Sequence, residues 1–245
     1  IFILIIYYPY ILYVIYIFFL VTILFLFSCE EEEDFSTPFY VDENGVTIKA
    51  KDWVTVGTTG VLNGITYIAI DDTLTSMSDF KSIYPEITSL KQLVTTLVTD
   101  ISYPGGLGGG ILEILSVYSD FKSIETWDVS NVTNMSGSFD TCNCFNPSYS
   151  NVEDIPDLTY WDVSSVTDMS GMFSHIYGGA MFNQDISGWD VSNVTNMDGM
   201  FLGNQYFNQD LSSWDVSNVT NCNMFSCTYA CQWTLPQPNF SIDCN

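Results

Sequence analysis

One short phrase occurs four times in the second half of the chain. It reads WDVSNVTNM at Trp127–Met135 and Trp189–Met197, WDVSSVTDM at Trp161–Met169, and WDVSNVTNC at Trp214–Cys222. Successive tryptophans of the phrase are 34, 28 and 25 residues apart. A unit of this length cannot bury a core by itself, so its apolar positions must stack on those of its neighbours. The repeat therefore constrains the fold more than any other feature of the sequence.

The apolar positions within the repeat predict a solenoid with a continuous core. Tryptophan, valine, methionine and phenylalanine recur at fixed places and can stack on the same residue one unit away. Alternation of apolar and polar residues over Ile186–Val191 indicates a short strand. A second strand is predicted at Val194–Met197 and a helical turn at Asp198–Phe201. The recurring tryptophans are expected in the core rather than on a ligand platform.

The phrases WDVSNVTNM and FNQDISGWDVSNVTNM resemble the BspA-like repeat of bacterial surface proteins, which is a divergent relative of leucine-rich repeats. The resemblance covers residues 120–225 strongly and residues 41–119 weakly. It implies a leucine-rich-repeat-like solenoid on a secreted or surface-anchored protein, and it implies adhesion or protein binding.

The first 28 residues are expected to form a signal peptide or hydrophobic segment. Ile1–Phe27 carries no charge and is longer than the roughly 20 residues that a spanning helix needs. Leu26-Phe27-Ser28-Cys29 resembles a bacterial lipobox, and the acidic run that follows resembles the surface-export signal of Bacteroidetes lipoproteins. These resemblances imply lipidation of Cys29 and an outer-membrane, cell-surface location.

An uncleaved transmembrane helix is the alternative for this segment. The chain begins with Ile and lacks a positively charged region before the apolar run, so the true start of the gene product is expected to differ. Residues 29–40 are predicted to be an acidic tether, because they contain little that could pack.

Residues 41–71 are predicted to form a small β-rich N-terminal cap of three or four strands, with a hairpin at Asn63-Gly64. Residues 72–119 are interpreted as a degenerate first repeat interrupted by a helix and a glycine-rich connector. The helix is predicted over Pro85–Ile101, where apolar residues follow a helical spacing.

Composition excludes several classes of function. The chain has 29 Asp and Glu against 5 Lys, no Arg and one His, for a net charge of −24. Clustered cations are needed to bind phosphate, so nucleic acid is not an expected partner. The shortage of His and Arg also argues against an enzyme.

Six cysteines besides Cys29 are candidates for disulfides in an exported protein. These are Cys142, Cys144, Cys222, Cys227, Cys231 and Cys244. Four of them lie in the last 24 residues, where residues 226–245 are expected to form a C-terminal cap or a truncated end. Metal binding through Cys227 and Cys231 is the alternative.

Two further motifs belong to the repeat. The aspartates after each tryptophan would form either a solvated ladder or a Ca²⁺ site; they are Asp128, Asp162, Asp190 and Asp215. No other cofactor is expected. The Asn-Val-Thr sequons at Asn131, Asn193 and Asn218 are interpreted as part of the repeat rather than as glycosylation sites.

The sequence thus predicts a surface lipoprotein that binds an extracellular protein or glycan. A structural spacer without a ligand is the second hypothesis, and a membrane-anchored hydrolase with its site in Asp72–Ser119 is the third. A binding module should expose an aromatic or charged stripe on the repeats, whereas a spacer should expose only Ser, Thr and Asn.

Overall fold

A computed structural model describes residues 36–74, 77–103, 121–140, 155–175, 182–226 and 231–244. The chain divides into two compact units, residues 1–36 and 37–245. Of the first unit only Ser36 is described, so the hydrophobic segment and Cys29 lie outside the described residues. Within the described ranges, no helix has both the length and the apolar character needed to cross a membrane.

A two-stranded antiparallel sheet opens the second unit. Strands β1 (Phe39–Val41) and β2 (Ile48–Ala50) pair with Phe39 opposite Ala50. The turn between them is stabilised by Asn44, whose Oδ1 accepts hydrogen bonds from the amides of Val46 and Thr47. Phe39, Ile48 and Ala50 are buried in a small core that also contains Tyr67, Ala69 and Val94.

A three-stranded mixed sheet follows. Strands β3 (Thr59–Leu62) and β4 (Ile65–Asp71) form an antiparallel hairpin, and β4 pairs in parallel with β5 (Leu93–Leu97). The hairpin turn has positive φ at both Asn63 (52°) and Gly64 (79°), the backbone conformation that Asn-Gly favours. The predicted strands over 41–71 and the hairpin at Asn63-Gly64 are confirmed.

The predicted helix over Pro85–Ile101 is wrong. That stretch contains a short 3-10 helix, Leu90–Gln92, followed by strand β5. A capping box formed by Ser89 and Gln92 begins the helix. Strand β5 pairs with β4 through Leu93, Val94 and Leu97. Leu93 and Val94 are both buried, as a strand covered on two faces requires. The α-helix of this region is α1 (Met77–Ile83).

The apolar spacing that suggests a helix is the spacing of the repeat itself. Asp100 forms a parallel bridge with Asn134, which lies seven residues after Trp127. Counting back seven residues from Asp100 places Leu93 at the tryptophan position. Leu90, Leu93, Val98 and Ile101 then match Ile124, Trp127, Val132 and Met135, and all eight are buried.

The prediction of a leucine-rich-repeat-like solenoid, with short strands and a helical turn in each unit, is also wrong. In the described residues beyond β5, regular structure is limited to one 3-10 helix, Phe121–Thr126, and to isolated single-residue bridges. The predicted strand Ile186–Val191 is interrupted because the Trp189 amide donates to the Ile186 carbonyl and closes a turn. Asn, Asp and Ser between the apolar positions favour such turns. The described chain is a small mixed-sheet protein with few helices.

The repeats nevertheless contact one another in chain order. Parallel bridges link Asp100 to Asn134, Asn134 to Asp168, Asp168 to Asn196 and Asn196 to Asn221. The tryptophan, valine and methionine positions of the repeats are buried in one core, as the sequence predicts.

Phenylalanine rings continue the contacts between repeats. Phe173 lies between Phe139 and Phe201, with ring centroids 5.5 and 5.7 Å apart. Phe182 and Phe207 stack at 5.9 Å with nearly parallel planes. Such offset stacks add to the stabilisation that burial of the rings supplies.

The C-terminal residues cover the last repeat. Trp233 meets Phe207 edge to face at 4.7 Å, and its indole Nε1 donates to the Gln209 carbonyl. The Leu211 amide donates to the Pro236 carbonyl, and Asn208 Oδ1 accepts from the amides of Thr234 and Leu235. This segment therefore closes the apolar end of the last repeat.

Candidate functional site

An exposed column of threonines runs across the repeats, each member one residue before a bridging position. From the second member onward, each amide donates to the carbonyl of the threonine before it, over 2.8–2.9 Å. Each of these hydroxyls also donates through Oγ1 to that same carbonyl, over 3.0–3.3 Å. The threonine column consists of Thr99, Thr133, Thr167, Thr195 and Thr220, all of them exposed.

The column holds its hydroxyl groups in one orientation. Because each hydroxyl hydrogen is committed to an oxygen of the protein, the hydroxyl oxygen offers its remaining lone pairs to solvent or to a ligand. The β-branched side chain has few rotamers, so little conformational entropy remains to be lost on binding. The face is thus rigid, polar and repeated.

The asparagines of the sequons lie beside this column and have a structural role. Each of these asparagines donates through Nδ2 to a backbone carbonyl, over 2.7–2.8 Å. Asn131 donates to the carbonyl of Thr96, Asn193 to that of Ser164, and Asn218 to that of Ser192. Ser165 stands at this position in the second repeat and is too short to make the same bond. Each asparagine therefore ties its repeat to the preceding one.

The aspartates after the tryptophans close turns within their own repeats. Asp162 Oδ1 accepts hydrogen bonds from the amide and hydroxyl of Ser164, and Asp190 and Asp215 accept from the amides of Ser192 and Ser217. The bonds from Ser192 and Ser217 lower the pKa of Asp190 and Asp215 below the ordinary value for aspartate. These exposed carboxylates are therefore ionised at neutral pH.

The predicted calcium alternative gains no support from this arrangement. The part of the chain that the structure describes has no group of three or more His, Cys, Asp or Glu side chains placed to hold a metal ion. Neighbouring carboxylates do influence one another, since the charge of Asp215 opposes ionisation of Asp190. Asp162, Asp190 and Asp215 form a charged row on the surface.

Asp128 differs from its three counterparts, because it is 2 % exposed whereas they lie at the surface. Its Oδ1 accepts from Ser130, and its backbone carbonyl accepts from the hydroxyl of the buried Thr95. Burial alone would lower the pKa of Lys49, but the carboxylates of Asp128 and Asp42 raise it above its ordinary value. Asp128 therefore links the first sheet to the repeats electrostatically.

Among the candidate cysteines, Cys222 and Cys244 form a disulfide with Cα atoms 4.8 Å apart. Cys222 stands where the earlier repeats carry a buried methionine, so the bridge attaches the C-terminal segment directly to the core. Cys231 is disulfide-bonded as well. Cys142, Cys144 and Cys227, like the expected lipidation site Cys29, lie outside the described residues.

A cavity of about 250 Å³ lies between strand β4 and helix α1. Its lining is mainly apolar and includes Ile68, Ile70, Phe80 and Tyr84. Among the described residues that line it, Tyr84 alone is titratable, so they lack the converging acid and base groups that a hydrolase needs. Within Asp72–Ser119, where the hydrolase hypothesis places its site, residues 104–119 lie outside the described ranges.

Sequence reasoning missed the threonine column and the residue that begins it. The Asp72 carboxylate accepts hydrogen bonds from the amide and hydroxyl of Thr99 and from the amide of Asp100. It thus has the role that a threonine carbonyl has for each later member of the column. The sequence did contain a signal for this additional repeat. Leu93–Asp100 aligns with the repeated phrase if Leu93 is placed at the tryptophan position.

Comparison with known families gives one match. A family model described as "Mycoplasma protein of unknown function, DUF285" matches residues 148–239. This region contains three of the four repeated phrases. No curated protein and no solved structure matches the chain significantly.

Proposed function

We propose that this chain is a surface-exposed bacterial lipoprotein whose repeats bind an extracellular protein or glycan. The observation that carries the proposal is the row of exposed carboxylates at Asp162, Asp190 and Asp215, the kind of charged stripe that a binding module is expected to show. Their Oδ1 atoms are already ordered by hydrogen bonds from the amides of Ser164, Ser192 and Ser217. A surface ordered before binding loses less entropy on binding.

The family match covers three of the four repeated phrases and says nothing about function. Residues 148–239 match a family whose function is unknown. The identity of the repeat as BspA-like, and the adhesive role which that resemblance implies, rest on the residues of WDVSNVTNM and FNQD. Both belong to this proposal.

A charged row favours binding over the spacer hypothesis. Asp162, Asp190 and Asp215 are exposed, one in each of three successive repeats. The sequence has no Lys or Arg after Lys122, so no basic side chain within these repeats neutralises the row. A spacer needs only neutral polar residues at its surface, whereas an unopposed row of one sign steers and selects partners.

The surface location is tested by mass spectrometry of the mature N-terminus from native cells. The proposal expects an N-terminal Cys29 that carries acyl chains, and expects antibodies against the repeats to label intact cells. A Cys29→Ser variant should carry no acyl chains. An intact Ile1–Ser28 segment on the mature protein would instead establish a transmembrane anchor.

The binding role is tested with the purified full chain on two immobilised sets, one of neutral, acidic and amino glycans and one of extracellular-matrix proteins. Saturable binding to a member of either set is expected. A variant with Asp162, Asp190 and Asp215 all changed to Asn keeps the turn acceptors while removing three charges, so a changed selectivity would locate the ligand on this face. Absence of saturable binding to both sets would support the spacer.

A further inference from the structure

We infer that the cavity between strand β4 and helix α1 binds a single uncharged alkyl or acyl chain of medium length, with its polar end beside Tyr84. This site goes beyond the proposed function. It belongs to the sheet region and shares no residue with the row of carboxylates at Asp162, Asp190 and Asp215.

The walls of the cavity come from one face of β4 and from two aromatic rings. Ile68 and Ile70 are two residues apart on the strand, so they point to the same face, and both are buried. Phe80 and Tyr84 are four residues apart, and their ring centroids are 5.0 Å apart. An apolar cavity of about 150 Å³ holds benzene, so the volume of about 250 Å³ here suits a chain of about eight to ten carbons.

Two large apolar side chains of the lining are left in contact with water. Val56 is 51 % exposed and Ile83 is 68 % exposed, so both lie at the mouth of the cavity. In the described ranges only two other large apolar side chains, Val61 and Met224, are more than half exposed. Exposed apolar groups gathered at one opening favour a ligand that covers them. A chain that continues out through the mouth does so, whereas a compact ring would lie wholly inside.

The Tyr84 hydroxyl is available to a ligand at this site. Among the residues that the structure describes, none forms a hydrogen bond with it, and a Cβ added at Gly57 would lie 3.6 Å from it. Thr73, which has the other hydroxyl of the described lining, donates to Asp71 Oδ1 at 2.6 Å. The missing side chain at Gly57 therefore leaves room for a polar group that pairs with Tyr84.

The charge near the cavity selects an uncharged ligand. The described lining contains no Lys, Arg or His, and the Asp71 carboxylate holds the lining residue Thr73. The whole chain has a net charge of −24. A fatty-acid carboxylate would find no counter-charge here and would be repelled. An ester, amide or alcohol group needs only the hydrogen bond to Tyr84.

The inference is tested by NMR titration of the full chain, labelled at its isoleucine methyl groups, with octyl β-glucoside below the concentration at which it forms micelles. The methyl signals of Ile68, Ile70 and Ile83 should shift saturably, which separates this site from the hydrophobic segment at residues 1–27. Butyl β-glucoside has the same head group and a shorter chain, so it should bind at least about tenfold more weakly. Octanoate should also bind at least about tenfold more weakly, because it is charged.

Val56→Phe enlarges an exposed side chain at the mouth and should weaken octyl glucoside binding about tenfold or more, because the ring fills space that the chain needs. Val61→Phe is the matched control, since Val61 is equally exposed to solvent but does not line the cavity. It should leave binding within about twofold of the parent. Tyr84→Phe keeps the ring, removes the hydroxyl and should weaken binding roughly threefold to tenfold. Thermal unfolding of each variant identifies any folding defect.

Absence of saturable shifts at the three isoleucines would overturn the inference, and so would equal binding by Val56→Phe and Val61→Phe. Octanoate that binds as tightly as octyl glucoside would overturn the selection of an uncharged chain. The glycan and matrix-protein assays of the proposed function do not involve this cavity, so failure of one proposal is distinguishable from failure of the other.

Discussion

The carboxylate of Asp72 does for Thr99 what a threonine carbonyl does for each later member of the column. Asp72 Oδ1 accepts the Thr99 amide at 3.0 Å, and Oδ2 accepts the Thr99 hydroxyl at 2.5 Å. In the next repeat, Thr99 O accepts the Thr133 amide at 2.8 Å and the Thr133 hydroxyl at 3.3 Å. Asp72 therefore begins the column in the way that a capping side chain begins a helix.

Asp72→Ala should lower the free energy of unfolding by about 0.5–2 kcal/mol, the range for loss of a side-chain cap. Asp72→Asn keeps one acceptor oxygen and should cost less. Urea denaturation followed by tryptophan fluorescence measures both. Asp52→Ala, at an exposed position, serves as the control. Equal stability of Asp72→Ala and the control would show that the column needs no cap.

Met224 occupies a left-handed position that glycine holds in the earlier repeats. Its φ is 52°, and φ at Gly137, Gly171 and Gly199 is 60–63°. A side chain in this conformation costs about 1–2 kcal/mol, which the greater flexibility of unfolded glycine partly offsets. We therefore expect Met224→Gly to raise the free energy of unfolding by up to about 1 kcal/mol.

Gly199→Ala is the matched reverse substitution, because a Cβ there would lie 3.6 Å from Leu202 Cβ, an ordinary contact. It should destabilise the protein through backbone strain rather than through a clash. Thermal unfolding of both variants gives the comparison, and a stabilised Gly199→Ala would contradict the role assigned to the conformation.

The tryptophan indoles join each repeat to the one before it. Trp189 Nε1 donates to the Leu158 carbonyl at 3.1 Å, and Trp214 Nε1 donates to the Ile186 carbonyl at the same distance. Trp189→Phe should destabilise the protein by about 0.5–1.5 kcal/mol through loss of one buried hydrogen bond. The Leu158 carbonyl keeps a partner in this variant, because it also accepts the Trp161 amide. Trp189→Ala should cost about 3–5 kcal/mol, because a cavity is added.

Chemical denaturation separates these two effects for Trp189. Tyr206→Phe removes a hydroxyl from an exposed ring and should change stability little. If Trp189→Phe were as stable as this control, the indole hydrogen bond would contribute nothing to the contact between repeats.

Acid should weaken the turns within the repeats. Hydrogen bonds from serine lower the pKa of Asp185, Asp190, Asp210 and Asp215 in the folded chain. The unfolded pKa of aspartate is about 3.9, so the stabilisation is fully present well above that pH. It is lost as the pH falls through the lower folded pKa values.

Urea midpoints between about pH 7 and about pH 2.5 measure this dependence, since the range brackets the ordinary aspartate pKa. A variant with these four aspartates changed to Asn keeps the turn acceptors but cannot titrate, so its midpoint should fall less over the acid range. An identical acid response of parent and variant would assign the pH dependence to other carboxyl groups.

The Cys222–Cys244 disulfide should stabilise the C-terminal segment on the last repeat. The bridge joins residues 22 apart in sequence. Cys244→Ala removes the cross-link that closes this loop and should lower the free energy of unfolding by about 3 kcal/mol, by the chain-entropy relation. Hydrogen exchange should show the greatest loss of protection around Phe225 and Phe240, whose rings are 4.9 Å apart. Unchanged protection at both residues would show that packing alone holds the segment.

The sequence by itself determined the repeat, its buried positions and the hairpin, because each depends on local chemistry. Trp, Val and Met at fixed intervals have to be buried, and Asn63-Gly64 adopts the positive φ values that its tight turn needs. The high negative charge and the hydroxyl-rich surface are likewise properties of composition.

Only the tertiary structure decided how the backbone of each repeat is paired. The spacing of Leu90, Leu93 and Ile101 fits a helix and also fits the repeat. The pairing of β5 with β4 shows that the chain follows the repeat here. Alternation over Ile186–Val191 suggests a strand, but the turn hydrogen bond from Trp189 satisfies the backbone locally. The role of Asp72 could not be predicted, because its partner Thr99 is 27 residues away and is brought to it only by the fold.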